Sequence, residues 1–217
     1  MSTFCTDTDL LLWEPNLLAE AALASQTLIS GTADLVNTTL TIAAGDLLAA
    51  HVTADQVVVL AGTISGCFPI VSVDSSTTLT ISILYEGTWP GDTAQTPSRI
   101  GSAVSLSYTV RSFYPQRRLV ADLLRRAVGI DTRAGQAMPA ILNPEVLRRA
   151  NALGTLQMIH SALAAAADAP EVHQARADLY QRMYRRELRS CAVQLDLDGD
   201  SRVDTIRRPG ILTFSRG

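Results

Sequence analysis

ADLYQRMYRRELRSCAVQLDLDGDSRVD, residues 177–204, holds the decisive change of pattern in this chain. Its first half has the 3.6-residue period of an amphipathic helix. At about 100° per residue, Arg182, Arg185, Arg186 and Arg189 fall within an arc of roughly 100°. Leu179, Tyr180, Met183, Tyr184 and Leu188 cover the opposite side. The second half switches to period two, with Val193, Leu195 and Leu197 alternating with polar residues, and Asp198-Gly199 is a strong hairpin pair. Ile211-Leu212-Thr213-Phe214, after Pro209-Gly210, reads as another strand. A basic helix thus runs straight into a short β tail. This is the pattern of a surface that docks, not of a catalytic pocket.

Upstream, helix precedes this stretch twice. Pro115 opens a helix through Leu119, Val120, Leu123 and Leu124 that Gly129 can cap. Asn143-Pro144-Glu145 offers a cap, a first-turn proline and an acid at the positive dipole end, for a helix to about Ala167. Asp168-Ala169-Pro170-Glu171 begins the next in capping-box style. Arg117 with Arg118, Arg125 with Arg126, and Arg148 with Arg149 repeat the arginine habit on the first two of these helices. Before them, from Thr27 to Arg111, the chain is rich in Thr, Val, Ile, Ser and Gly. Its predicted strands are Leu35–Ile42, Gln56–Leu60, Phe68–Val73, Thr77–Leu84 and Val104–Val110, with a turn at Asp74-Ser75-Ser76 and a long loop over Glu86–Arg99. Asp7 to Gln26 reads as helical again, with Asp7 or Thr8 as a cap and Pro15 opening a second segment.

The expected fold class is therefore α+β: a helical bundle domain, an inserted small β-barrel or sandwich module, and a C-terminal β-hairpin arm. Residues 1–26 and 113–191 would form the discontinuous helical domain, because 26 residues are too few for a core and so short a helix is marginal alone. Residues 27–112 would be the inserted module and 192–217 the arm.

Composition narrows the function classes. The chain of 217 residues is 47% apolar and 18% charged, which is globular and not disordered. A net charge of −3 sets up no global field for nucleic acid. All 18 basic residues are arginine, whose rigid, weakly hydrated guanidinium suits interfaces. Cys5, Cys67 and Cys191 are odd in number and make no CxxC pair, which suits a reducing compartment and neither a disulfide framework nor a zinc site. A polar, acidic start argues against a signal peptide, and no run approaches the ~18 apolar residues of a membrane span.

Catalytic motifs are missing. His51, His160 and His173 stand in unrelated contexts with no metal-cluster spacing, and Gly62-Thr63-Ile64-Ser65-Gly66 places its serine one position late for a nucleophile elbow. No phosphate loop or dinucleotide fingerprint is present. No cofactor is expected. Asp196, Asp198, Asp200 and Asp204 occupy positions 1, 3, 5 and 9 of an EF-hand-like calcium loop, but Ser201 stands where that loop has glycine and Arg207 where it has a bidentate glutamate. A metal-free hairpin is the expectation, with a calcium-dependent binding module as the alternative.

The layout resembles the head-to-tail connector (adaptor) proteins of tailed bacteriophages and gene transfer agents. The residues that carry the resemblance are Thr6-Asp7-Thr8-Asp9, the helices Pro115–Val128, Pro144–Ala167 and Pro170–Ser190, and the tail Ala192–Phe214. The resemblance implies a non-enzymatic virion protein of the neck, assembled in the host cytoplasm as a dodecameric ring beneath the portal. Its partners would be the portal protein, neighbouring adaptor subunits, a stopper or tail protein, and DNA passing without sequence specificity, with no membrane. Arg182, Arg185, Arg186 and Arg189 would face a partner or the DNA channel. Leu195, Leu197, Ile211, Leu212 and Phe214 would form the portal-docking arm.

Overall fold

The computed structural model describes residues 3–21, 26–54, 56–83, 97–130, 140–166 and 170–209. The chain divides into two compact units, one of Thr6–Phe113 and one of Met1–Cys5 with Tyr114–Gly217.

Six strands build the first unit: β1 (Thr27–Asn37), β2 (Thr39–Ile42), β3 (Val57–Ala61), β4 (Gly66–Val73), β5 (Thr78–Ile81) and β6 (Gly101–Arg111). They close into an antiparallel barrel in the order β1-β2-β5-β4-β3-β6. Alternation explains the inside. Leu40 and Ile42, Leu79 and Ile81, and Leu106, Tyr108 and Val110 all point into the core, while the intervening Thr and Ser face outward or lie half-buried. Gly31 is required where it stands, since a Cβ there would meet the Tyr108 ring at 3.2 Å.

Two short helices, α1 (Asp7–Leu11) and α2 (Leu17–Glu20), belong to this barrel unit. Thr6 caps α1 in a capping box with Asp9. Asp7, expected as a cap, is instead fully buried and accepts the Phe113 N–H at 3.0 Å, so its carboxylate ties α1 to the end of β6. Ser112 N–H donates to Gln26 O at 3.1 Å, and the Arg111 guanidinium donates to Leu18 O.

The second unit holds α3 (Tyr114–Ala127), α4 (Arg148–Ala166, entered through a 3-10 turn over Pro144–Leu147) and α5 (Glu171–Ser190). It also holds a three-stranded antiparallel sheet of β7 (Ala140–Ile141), β8 (Val193–Asp196) and β9 (Thr205–Arg207), in the order β7-β8-β9. Its core joins Val120, Leu124, Val128 and Ile130 to Leu147, Ala150, Cys191, Val193 and Leu195. Asn151 is fully buried mid-helix, yet it accepts Phe4 N–H and Cys5 N–H at 2.9 and 3.2 Å and donates to Arg117 O at 3.0 Å. That network stitches the first residues of the chain to α3 and α4. Asn143 makes no cap bond; it accepts Gln194 N–H and donates to Ala192 O, holding the start of β8.

This corrects the expected fold class. The described residues form a mixed α/β protein on a closed six-stranded antiparallel barrel, with five α-helices, and those helices do not make the bundle read from sequence. The physical causes are the buried Asp7 contact, which keeps α1 with the barrel, and the apolar side of β8. The expected arm changes with it: Val193 and Leu195 are core residues, and β8 pairs with β7 and with Thr205–Arg207 in the register Val193↔Arg207 and Leu195↔Thr205. Ile211, Leu212 and Phe214, the expected second strand, lie outside the described residues, as do Asp168 and most of the Glu86–Arg99 loop. No helix among the described residues is long and apolar enough to cross a membrane.

Candidate functional site: the arginine face and the aspartate loop

Helix α5 lies against α4 through Tyr180, which is buried, and through Met183, Tyr184 and Leu188, which are half-buried. Leu179, assigned to the same side, is 44% exposed. Gly154 on α4 permits the approach, because its missing side chain faces Val120 and Tyr184. With that side covered, Arg182, Arg185, Arg186 and Arg189 all stand exposed on the other. Among the described residues none of these four guanidinium groups enters an ion pair. Glu187, between them in sequence, bridges instead to Arg149 of α4 at 3.3 Å.

The two arginine pairs of α3 divide one inward, one outward, whereas Arg148 of α4 is half-buried and Arg149 exposed. Arg117 is 3% exposed and donates to Cys5 O at 2.6 Å, and Arg125 is 7% exposed and lies 4.6 Å over the Phe4 ring. Arg118 and Arg126 face solvent. A pair that looks uniform in sequence therefore serves half structure, half surface.

The aspartate loop connects β8 to β9. Asp196 is 3% exposed, and its two oxygens accept Gly199 N–H at 2.6 Å and Ser201 N–H at 2.8 Å. The Gly199 N–H bond is the main cause that holds its carboxyl below the usual carboxylate range, with the Ser201, Asp198 and Asp200 amides adding to it against the effect of burial. Asp204 accepts Leu197 N–H at 2.6 Å, while Asp198 and Asp200 accept the amides two residues on. Ser201 adopts φ +63°, the left-handed conformation that glycine supplies at this point of a calcium loop. Carboxylate oxygens of Asp196, Asp198 and Asp204 come within 4.8 Å of one another, which is a spacing a hard cation accepts. Asp200 is outside that group. Arg207 reaches back past Gly129 to donate to Val128 O at 3.0 Å, so the twelfth position of the loop closes the end of α3 and supplies no ligand.

Of the expected docking residues, Leu195 is 1% exposed and Leu197 50% exposed. Among the described residues the thiols of Cys5 and Cys191 are buried and that of Cys67 is half-buried. Burial, then Glu187, pushes the Cys191 thiol up to about 11, and burial raises that of Cys67. Comparison with family models, with curated proteins and with solved structures finds no match to this chain.

One constellation escaped the sequence reading. His160, 1% exposed, and His173 bring their Nδ1 atoms to 3.3 Å, with rings stacked 5.6 Å apart and Tyr180 stacked on the other contact at 5.7 Å. The signal was the position of the two histidines near the facing ends of two consecutive helices, where an antiparallel hairpin brings such residues together. This pair joins α4 to the start of α5.

Proposed function

We propose that this protein is a structural adaptor of the virion neck in a tailed bacteriophage or gene transfer agent, without enzymatic activity. It docks on the portal, forms a ring with neighbouring copies, receives a stopper or tail protein, and borders the passage for DNA. Assembly takes place in the host cytoplasm.

The observation that carries this reading is the row of four exposed arginines on α5, unmatched by acids among the described residues. Repeated around a symmetric axis, such a row multiplies into a strong field although each chain is weakly charged. A field of that kind favours phosphate backbone or an acidic protein rim, without base readout. Leu195 leaves the docking set because it fills the core; Leu197 and the chain beyond Pro209 remain in it.

The test is incorporation into particles. A chain lacking Gly210–Gly217 keeps every described element and should fold, but should no longer bind the portal ring. R182E/R185E/R186E/R189E should bind the portal or retain packaged DNA less well. Normal particles from both variants would overturn the reading. The second reading, a calcium-dependent binding module, draws on the convergence of Asp196, Asp198 and Asp204; it requires calcium to stabilise the helical unit.

A further inference from the structure

Helix α4 is buried without a break from Ala150 to Leu156, and between Ala150 and Ala166 it carries one titratable side chain, His160. Its partner His173 stands on the first turn of α5 and is half-buried. The Nδ1 atoms are 3.3 Å apart and the ring centres 5.6 Å apart. The second distance is close to the first plus one ring radius at each end. Both nitrogens therefore lie near the line that joins the rings, and the lone pair of one points at the other. That is the alignment of an Nδ1–H···Nδ1 hydrogen bond, which requires one ring protonated at Nδ1 and the other bare there. Tyr180, 6% exposed, lies against His160 with 14° between the ring planes and holds it in that orientation. A metal fits less well. Two imidazoles on one tetrahedral cation aim their lone pairs at a point off the line between the nitrogens, and no carboxylate, thiol or third imidazole of the described residues joins the pair.

We propose that the His160–His173 pair is an acid-released clasp that seats the first half of α5 on α4. The pair tolerates one extra proton, which the two Nδ1 atoms then share in a charge-assisted bond. It does not tolerate two. With both rings protonated the bond has no acceptor, and two cations stand in contact, one buried and one at the positive end of the α5 dipole. Separated rings take up the second proton and the closed pair does not. The closed state therefore loses stability as pH falls through the range, about pH 8 to 5, in which imidazole gains charge.

The other ionisable groups on the packed elements leave this balance in place. On α5, Arg176 stands one turn on from His173 and carries the same sign as an added proton; Glu171 is exposed, and Asp178 accepts the Gln174 amide at 3.0 Å. On α3, Arg117 donates to Cys5 O, Arg125 lies over Phe4, Asp122 pairs with Arg126, and Arg118 is exposed. Release is local. The second half of α5 stays seated through Tyr184, Leu188 and the Arg149–Glu187 bridge, so acid frees residues 171–180, bares Ala177 and Tyr180, and leaves the arginine row in place. The inference does not rest on the adaptor reading.

Amide hydrogen exchange of the full chain, corrected for the intrinsic effect of pH, tests it. Between about pH 7.5 and about pH 5.5, protection of the amides of 174–180 should fall about tenfold, the net effect of losing one hydrogen bond. Protection of 184–190 should change less than about twofold over the same span. H173Q, at a half-exposed position, leaves His160 a partner that accepts from either protonation state, and should abolish the pH dependence. The ring 15N shifts of the parent chain give a readout that a folding defect in the variant does not touch: the second proton should be taken up over the pH span in which protection falls. Uptake of that proton with protection unchanged, an acid loss that H173Q retains, or the same loss produced near neutral pH by a chelator would overturn the proposal.

Discussion

Replacing Leu195 by alanine asks whether the chain after α5 is core or arm. Leu195 is 1% exposed and packs with Val120, Leu124, Val128, Ile130 and Leu147 around it in one cluster. The substitution removes three carbons, worth about 0.8 kcal/mol each by transfer, and leaves a cavity that the flanking helices cannot fully collapse, for a total of about 3 kcal/mol. For a unit of this size that corresponds to a fall of more than ~10 °C in melting temperature. A free docking arm would give almost nothing.

Two optical probes separate the units. Trp13 is a described residue of the Thr6–Phe113 unit, so the fluorescence of a chain with Trp89 replaced by phenylalanine follows the barrel. Far-ultraviolet circular dichroism is dominated by α3, α4 and α5 and follows the helical unit. Urea titration of Leu195→Ala should shift the dichroism midpoint strongly and the fluorescence midpoint little. Leu197→Ala, at a half-exposed site two residues on, should stay within about 0.5 kcal/mol of the parent. Equal, small effects at both positions would refute the placement of β8 in the core.

Three further outcomes are expected. Asp196, whose folded carboxyl lies below its unfolded value because Gly199 N–H binds it, contributes stability that is present above the unfolded pKa of ~4 and is lost as pH falls through the folded value; D196N should flatten that acid limb in thermal melts, and an unchanged limb would contradict the assignment. Calcium or a chelator should move the melting temperature by less than about 2 °C, and a shift of several degrees that D198A abolishes would favour the cation reading instead. With its thiol near 11, Cys191 is about one part in a thousand thiolate at pH 8, so disulfide reagents should label it only in denaturant, and rapid native labelling would exclude its burial.

The barrel strands were legible wherever apolar and polar residues alternate, as in Thr39–Ile42 and Thr78–Ile81. Two features hid the rest. The middle of β1, Ser30-Gly31-Thr32, has no large apolar residue, because Gly31 makes room for Tyr108 from across the barrel. Asn37, at φ +61°, divides β1 from β2 within what reads as one strand; asparagine tolerates that conformation, so the cue is present but faint. The grouping of the first helices is a different matter. An aspartate at a helix start has a sufficient local explanation in the cap, and its actual partner, Phe113 N–H, lies 106 residues away. A local rule satisfied in appearance concealed a tertiary bond. The tail erred in the same direction: the alternation of Val193 and Leu195 was read, but β7 is two residues long and β9 carries an arginine, so neither neighbour announces itself.

The candidate site divides along the same physical line. Exposure of Arg182, Arg185, Arg186 and Arg189 follows from one helix having one apolar side, which sequence periodicity contains in full. That none of them pairs with an acid among the described residues does not, because Arg149 takes Glu187 away from across the α4–α5 contact. The inward turn of Arg117 and Arg125 was equally invisible, since both are drawn in by Phe4 and Cys5 from the far end of the chain. Sequence therefore places a charged face on a helix, but only the fold decides which charges are left unneutralised. On the function we propose, those residual charges, and not the count of arginines, would select the partner, and competition by salt and by DNA for the same variants would rank an acidic protein surface against a phosphate backbone.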